Sequence, residues 1–248
     1  KDVARGSARA TSTQMRVSVN VALSPLLLAA TCASLRTTPA TMGIVSKAGK
    51  LFGQFRQKRD VKDVAQLIQP GDRLPEAIVQ VSANGREMKL ADAMAASSGM
   101  SLLVGMPGAF TPTCSTCHLP SLVEAAPRLE RLGLKTIAVI TSNDRYVNEA
   151  WRASIEQRMD ATMTLTMLSD ADGAALRALG LVDDLGFGMG ERSNRFAVLA
   201  EDGKVKHVAM DEGMDTLDST SVDAINKVLD YYMGDQVAPR GFHWAGIF

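Results

Sequence analysis

The stretch Met100-Ser-Leu-Leu-Val-Gly105, followed by Met106-Pro107-Gly108-Ala109-Phe110-Thr111-Pro112-Thr113-Cys114-Ser115-Thr116-Cys117-His118-Leu119-Pro120, decides how this chain is read. Its first six residues, apolar or small, predict a short buried strand. Met106–Thr113 is rich in Pro, Gly and Thr and breaks the strand into a tight loop. Cys114 then stands where a helix is expected to begin. Unpaired N–H groups and the helix dipole at such a point favour a thiolate over a thiol. Thr111, three residues earlier, is expected to set a hydroxyl beside that sulfur. The arrangement presents a nucleophile and stabilises an anion.

Outward from this stretch the chain alternates strands and helices. The folded part is expected to open near Gln69-Pro70-Gly71-Asp72. Glu76–Ser82 and Glu87–Leu90 flank an Asn84-Gly85 turn, a hairpin signal. Cys114–Leu132 predicts a helix bent at Pro120 and Pro127. Lys135–Thr141 predicts a strand, Tyr146–Met159 a helix and Met163–Leu168 another strand. Ala171–Leu179 predicts a helix stopped by Gly180. Arg195–Ala200 and Lys204–Met210 make a second hairpin around Asp202-Gly203, and Val222–Met233 a closing helix. This order predicts an α/β chain with a central mixed β-sheet flanked by helices, matching a thioredoxin-like fold. Fold alone does not fix a function.

Several chemistries fit the cysteines. Cys114-Ser-Thr-Cys117-His118 has the C-x-x-C-H spacing of c-type haem attachment and the C-x-x-C of a dithiol oxidoreductase. With ligands from elsewhere it is half of a zinc site. A zinc site wants four ligands, and beyond His118 only His207 and His243 remain as histidines, with no second cysteine pair. Haem attachment usually sits in a compact helical setting, whereas this cysteine follows a buried strand. Thioredoxin-type oxidoreductases carry a Pro just before the late hairpin. Here no Pro occurs between Pro127 and Pro239, and that place reads Arg192-Ser193-Asn194-Arg195.

Bulk composition narrows the class. The 248 residues carry 27 basic and 27 acidic side chains, so no basic stripe argues for nucleic acid. Three cysteines are too few for a disulfide-stapled scaffold and suggest reactive sulfur. Lys1 rather than Met opens the chain, as in an extended reading frame or a fragment. Residues 1–34 hold four basic groups against one acid, so the remainder carries 23 basic and 26 acidic groups. From Met15, Arg16 and the apolar run Val19–Ala33 read as a cleaved signal with a small-residue site at Ala29–Ser34. Leu35–Thr41, Thr-rich and without acids, suits the second half of a plastid leader. The expected organisation is a targeting leader over 1–41, a linker over 42–68, one domain over 69–233 and an aromatic tail over 234–248.

Pro107-Gly-Ala-Phe-Thr111-Pro-Thr-Cys114 closely resembles the peroxiredoxin signature P-x-x-x-T-x-x-C, and His118-Leu119-Pro120 narrows the resemblance to the type II, peroxiredoxin-five subgroup. It continues over about Gly71–Met233, through Ser142-Asn143-Asp144, Trp151 and Arg195-Phe196. The resemblance implies a thiol-dependent peroxidase acting on hydrogen peroxide and alkyl hydroperoxides, with no cofactor or metal. Cys114 would be the peroxidatic cysteine, Pro107 its shield from water, and Thr111 and Arg195 the groups holding the peroxide. Arg195 would lower the thiolate pKa, with Arg192 in support. Glutathione with glutaredoxin, or thioredoxin, would regenerate the sulfur. Cys117 is a candidate resolving cysteine, since animal members often carry one late in the chain and Asp215–Ser221 has none. The resemblance also implies a homodimer. Two alternatives stand beside it. One is a peroxiredoxin-fold subunit docking through the tail Arg240–Phe248; the other is a dithiol or haem carrier.

Overall fold

The computed structural model describes residues 64–237, apart from Phe187. The expected leader, the linker up to residue 63 and the tail beyond residue 237 lie outside the described residues. Seven strands form the main sheet: β1 (Ile78–Val81), β2 (Glu87–Lys89), β3 (Met100–Gly105), β4 (Thr136–Thr141), β5 (Thr166–Ser169), β8 (Phe196–Glu201) and β9 (Lys204–Met210), ordered β2-β1-β5-β4-β3-β8-β9. The central pairs β3–β4 and β4–β5 are parallel; the flanking pairs are antiparallel. This is the mixed sheet expected of the thioredoxin-like fold.

All six residues of β3 are buried, because helices cover both faces of the sheet. Side chains alternate between two cores. Leu102 and Val104 point to one, with Val139, Leu199 and Trp151; Leu103 points to the other, with Ile140, Val198 and Leu176. The first core is covered by α2 (Leu119–Arg131), α3 (Arg145–Met159) and α5 (Val222–Val237), the second by α1 (Leu90–Met94) and α4 (Ala174–Leu179). Asp144 caps α3 by accepting from the amides of Tyr146 and Val147, which fixes where that helix starts.

The structure corrects several sequence expectations. Leu90 opens a one-turn helix rather than closing a strand. Five residues are too few to show a helical period, but Leu90, Ala93 and Met94 are its buried face. β5 starts at Thr166 instead of Met163, and α4 starts at Ala174 after a left-handed Gly173. The ribbon β6 (Val182–Asp184) with β7 (Glu191–Ser193) has no sequence counterpart, since its three-residue strands are largely charged and pair only with each other. Packing also begins before Gln69: Ala65 and Ile68 donate backbone hydrogen bonds to Arg177 and Leu179. Gly180, left-handed at φ +70°, allows that approach. A Cβ there would lie 2.7 Å from the Leu67 Cα.

Candidate active site

Gly105 ends β3 opposite Phe196, the first residue of β8. A Cβ on Gly105 would fall 2.0 Å from the Phe196 ring, so only glycine admits this register. The register sets Arg195 level with the loop that leaves β3. Asn143 Oδ1 accepts from the Ala109 amide at 2.8 Å, while the Asn143 carbonyl accepts from Ser169 Oγ at 2.6 Å. Pro107 and Gly108 are buried, and Phe110, at φ 60°, swings outward to 55 % exposure.

Cys114 does not open the helix as expected. Thr113 is already helical at φ −60°, ψ −40°, and Cys114–His118 forms a π-helical turn ahead of α2. The Leu119 amide donates to the Cys114 carbonyl, five residues back. Pro120 explains the widening: it has no N–H for the Thr116 carbonyl, and its ring crowds that oxygen. Other groups hold the turn. Arg158 donates to the Ser115 carbonyl, Trp151 Nε1 to Ser115 Oγ at 3.0 Å, and Thr116 Oγ1 to the Pro112 carbonyl at 2.9 Å.

Cys114 is a free thiol with no exposed surface. Arg195, 1 % exposed, aims Nη1 and Nη2 at its Sγ at 3.5 and 3.4 Å. Two N–H donors on one sulfur suit a thiolate acceptor. The Thr111 hydroxyl departs from expectation: it donates to the Gly108 carbonyl at 2.9 Å, and no hydrogen bond joins it to the sulfur. Arg192 stays peripheral. Its Nε donates to the Met189 carbonyl at 2.9 Å, and Nη1 lies 3.7 Å from where a Gly108 Cβ would be. Cys117 is 7 % exposed, with Sγ 3.6 Å from Thr116 Oγ1.

His118 belongs to this site, a role its sequence context left unassigned. Nδ1 faces Arg195 Nη1 at 2.9 Å and Nε2 faces the Thr220 carbonyl at 3.2 Å. The guanidinium only donates and the carbonyl only accepts, so the ring is neutral, with its proton on Nε2. Burial and then the Arg195 charge lower its pKa to about 3, against the opposing pull of the Thr220 carbonyl. Both ring nitrogens are engaged, so His118 is not offered to a haem iron or a zinc ion. Among the described residues no three His, Cys, Asp or Glu side chains gather as a metal site.

A buried cysteine just beyond a central strand and its loop, forked by a buried arginine on a thioredoxin-like fold, is an arrangement suited to redox chemistry at sulfur. Comparison with known proteins agrees. Residues 69–226 match the Redoxin family model. The chain is 39% identical over 155 residues to the chloroplastic peroxiredoxin-2E-2 of Oryza sativa subsp. japonica, covering 60% of this chain and 68% of that protein. It is 36% identical over 167 residues to the chloroplastic peroxiredoxin-2E of Arabidopsis thaliana, covering 65% and 70%. Among solved structures, reduced Prx3 of Vibrio vulnificus in complex with H2O2 is 29% identical with a TM-score of 0.59, covering 67% of this chain and 98% of that one.

The chain therefore belongs to the peroxiredoxins, in their type II, peroxiredoxin-five group. It is a thiol-dependent peroxidase: a peroxide is its substrate and a thiol its reductant.

Proposed function

We propose that Cys114 attacks the peroxide while Arg195 and Thr111 hold its oxygens, and that an external thiol restores the sulfur. The observation carrying this reading is the fork of Arg195 on Cys114 Sγ. A guanidinium there donates twice to the attacking sulfur and stabilises charge on the departing oxygen. Thr111 gives its proton to Gly108 and so keeps lone pairs to accept the peroxide O–H. Pro107 shields the sulfur from water, and Arg192 braces the loop from the Gly108 side. A relative from Vibrio vulnificus has been crystallised in complex with H2O2, which supports a small peroxide as the substrate.

In the first step the sulfur takes one peroxide oxygen. The S–O bond forms as the O–O bond breaks, and the other oxygen leaves, protonated, as water or an alcohol. Cys114 becomes a sulfenic acid. A glutathione thiolate then attacks that sulfur, water departs, and a mixed disulfide forms. A further thiol, from glutaredoxin or thioredoxin, releases Cys114 and carries the disulfide away.

A bond from Cys114 to Cys117 would be the alternative second step, open only where Cys117 carries a reduced thiol. Arg158, Trp151 and Thr116 all hold the turn that would have to open for it, which favours the one-cysteine cycle. The chloroplastic relatives support a plastid location. A homodimer is the expected assembly, which sedimentation would test.

Peroxide consumption by the full chain tests the reading, with glutathione plus glutaredoxin and with thioredoxin supplied separately. Cys114→Ser abolishes it under both, because serine is far less nucleophilic. A Cys114→Ser protein that still reduced peroxide at a substantial rate would remove Cys114 from its role.

A further inference from the structure

Asp211 is a buried carboxylate, 4 % exposed, with no part in the reaction just described. It follows β9, and its amide donates to the Arg195 carbonyl at 3.0 Å. Its carboxylate accepts from the amides of Ser219 at 2.7 Å and Asp218 at 3.3 Å, and from Thr220 Oγ1 at 2.5 Å. One side chain thus fastens the end of the loop 211–220 back onto its beginning. Burial makes such donors necessary, since an unpaired carboxylate there would be costly.

Two backbone carbonyls of the same loop reach the site. That of Met214 accepts from Arg195 Nη2, and that of Thr220 faces His118, which in turn takes Arg195 Nη1. Each nitrogen that forks the sulfur therefore has a second partner whose position depends on this loop. We propose that Asp211 is a positioning residue for peroxide reduction: it closes the 211–220 loop, and the loop aims the Arg195 guanidinium at Cys114. The proposal rests on the reading that Arg195 activates Cys114. With Asp211 disconnected, the two carbonyls move and the fork loosens, while no group that touches peroxide has been changed.

The test uses the full chain carrying Asp211→Asn, Thr220→Val or both, with Arg195→Met and Cys114→Ser as references. Peroxide reduction and the pH profile of Cys114 alkylation by iodoacetamide are measured on each, beside thermal unfolding. Asp211→Asn loses about tenfold in rate, as small misplacements of catalytic groups do, and its alkylation profile moves to higher pH. Thr220→Val keeps the carbonyl and removes only the hydroxyl, so it shows a smaller loss in the same direction. It carries the test alone if Asp211→Asn does not fold. The double variant is about as slow as Asp211→Asn, because both changes break one contact. Folded variants with an unchanged alkylation profile, even if less stable, overturn the proposal. An unchanged profile in Arg195→Met, or activity in Cys114→Ser, overturns instead the reading beneath it.

Discussion

Arg192 and Arg195 leave the chain three residues apart and serve different regions. Arg195 directly precedes β8, in the middle of the main sheet. It is 1 % exposed and takes three partners from two elements: Cys114 and His118 at the two ends of the π-turn, and Met214 in the 211–220 loop. Arg192 sits on the two-stranded ribbon, opposite Asp183, half-buried and tethered to Met189 in a turn made of left-handed Gly186, Gly188 and Gly190. The Asn194 amide, bonded to the Leu181 carbonyl at 3.0 Å, marks the switch from ribbon to sheet. The same residue type therefore has two uses. A guanidinium fixed by a central strand and several partners can be aimed at one atom; one on a short ribbon lends charge to a loop edge.

Exchanging the charges is the sharpest way to break this comparison. Arg195→Met keeps much of the bulk and removes the fork, and should cost at least about tenfold in peroxide reduction, or ~1.4 kcal/mol of barrier. Steady-state rates at one pH, compared with Arg192→Met, check it. Were Arg192→Met the crippled variant, the assignment of the two arginines would be reversed.

Gly105→Ala attacks the platform beneath Arg195. Its Cβ would meet the Phe196 ring at 2.0 Å, and relieving that overlap should destabilise the fold by about 2–3 kcal/mol. Denaturant unfolding measures this, and an unchanged midpoint would show that Phe196 repacks freely.

His118 gives a pH signature. The unfolded chain protonates His118 below about pH 6.5, while the folded ring stays neutral down to about 3. Between those values the unfolded state binds more protons, so this contribution to stability is present above the window and lost as pH falls through it. From about pH 7 to about pH 5 the loss amounts to about 2 kcal/mol. His118→Asn, whose side chain does not titrate, should show that much less decline in urea midpoints. A parallel decline in both proteins would contradict the buried, neutral ring. The smallest effect expected is that of Arg192→Met, a loss below about threefold, or ~0.6 kcal/mol.

Legibility follows the range of the interactions. The strand into Cys114 was readable because one short stretch carries its apolar run, its turn residues and its helix. Arg195 was named through resemblance, as nothing near it in sequence shows that Gly105 and Phe196 would bring it to Cys114. His118 lay in plain view within the motif, yet its work depends on Thr220, 102 residues away. Asp211 and Met214 gave no signal, because Asp211 acts through two backbone amides and a hydroxyl that only the folded loop brings to it, and Met214 through its carbonyl. The π-turn was half-legible: Pro120 announced a disturbance without saying that it falls on the residue carrying the nucleophile.

Trapping the oxidised sulfur tests the central claim most directly. The full chain is treated with hydrogen peroxide in the presence of a dimedone-type probe, and the labelled residue is located by mass spectrometry. The account predicts a single adduct on Cys114, formed equally in the unaltered protein and in Cys117→Ser. Label on another residue, or label on Cys114 that appears only once Cys117 has been removed, would contradict it.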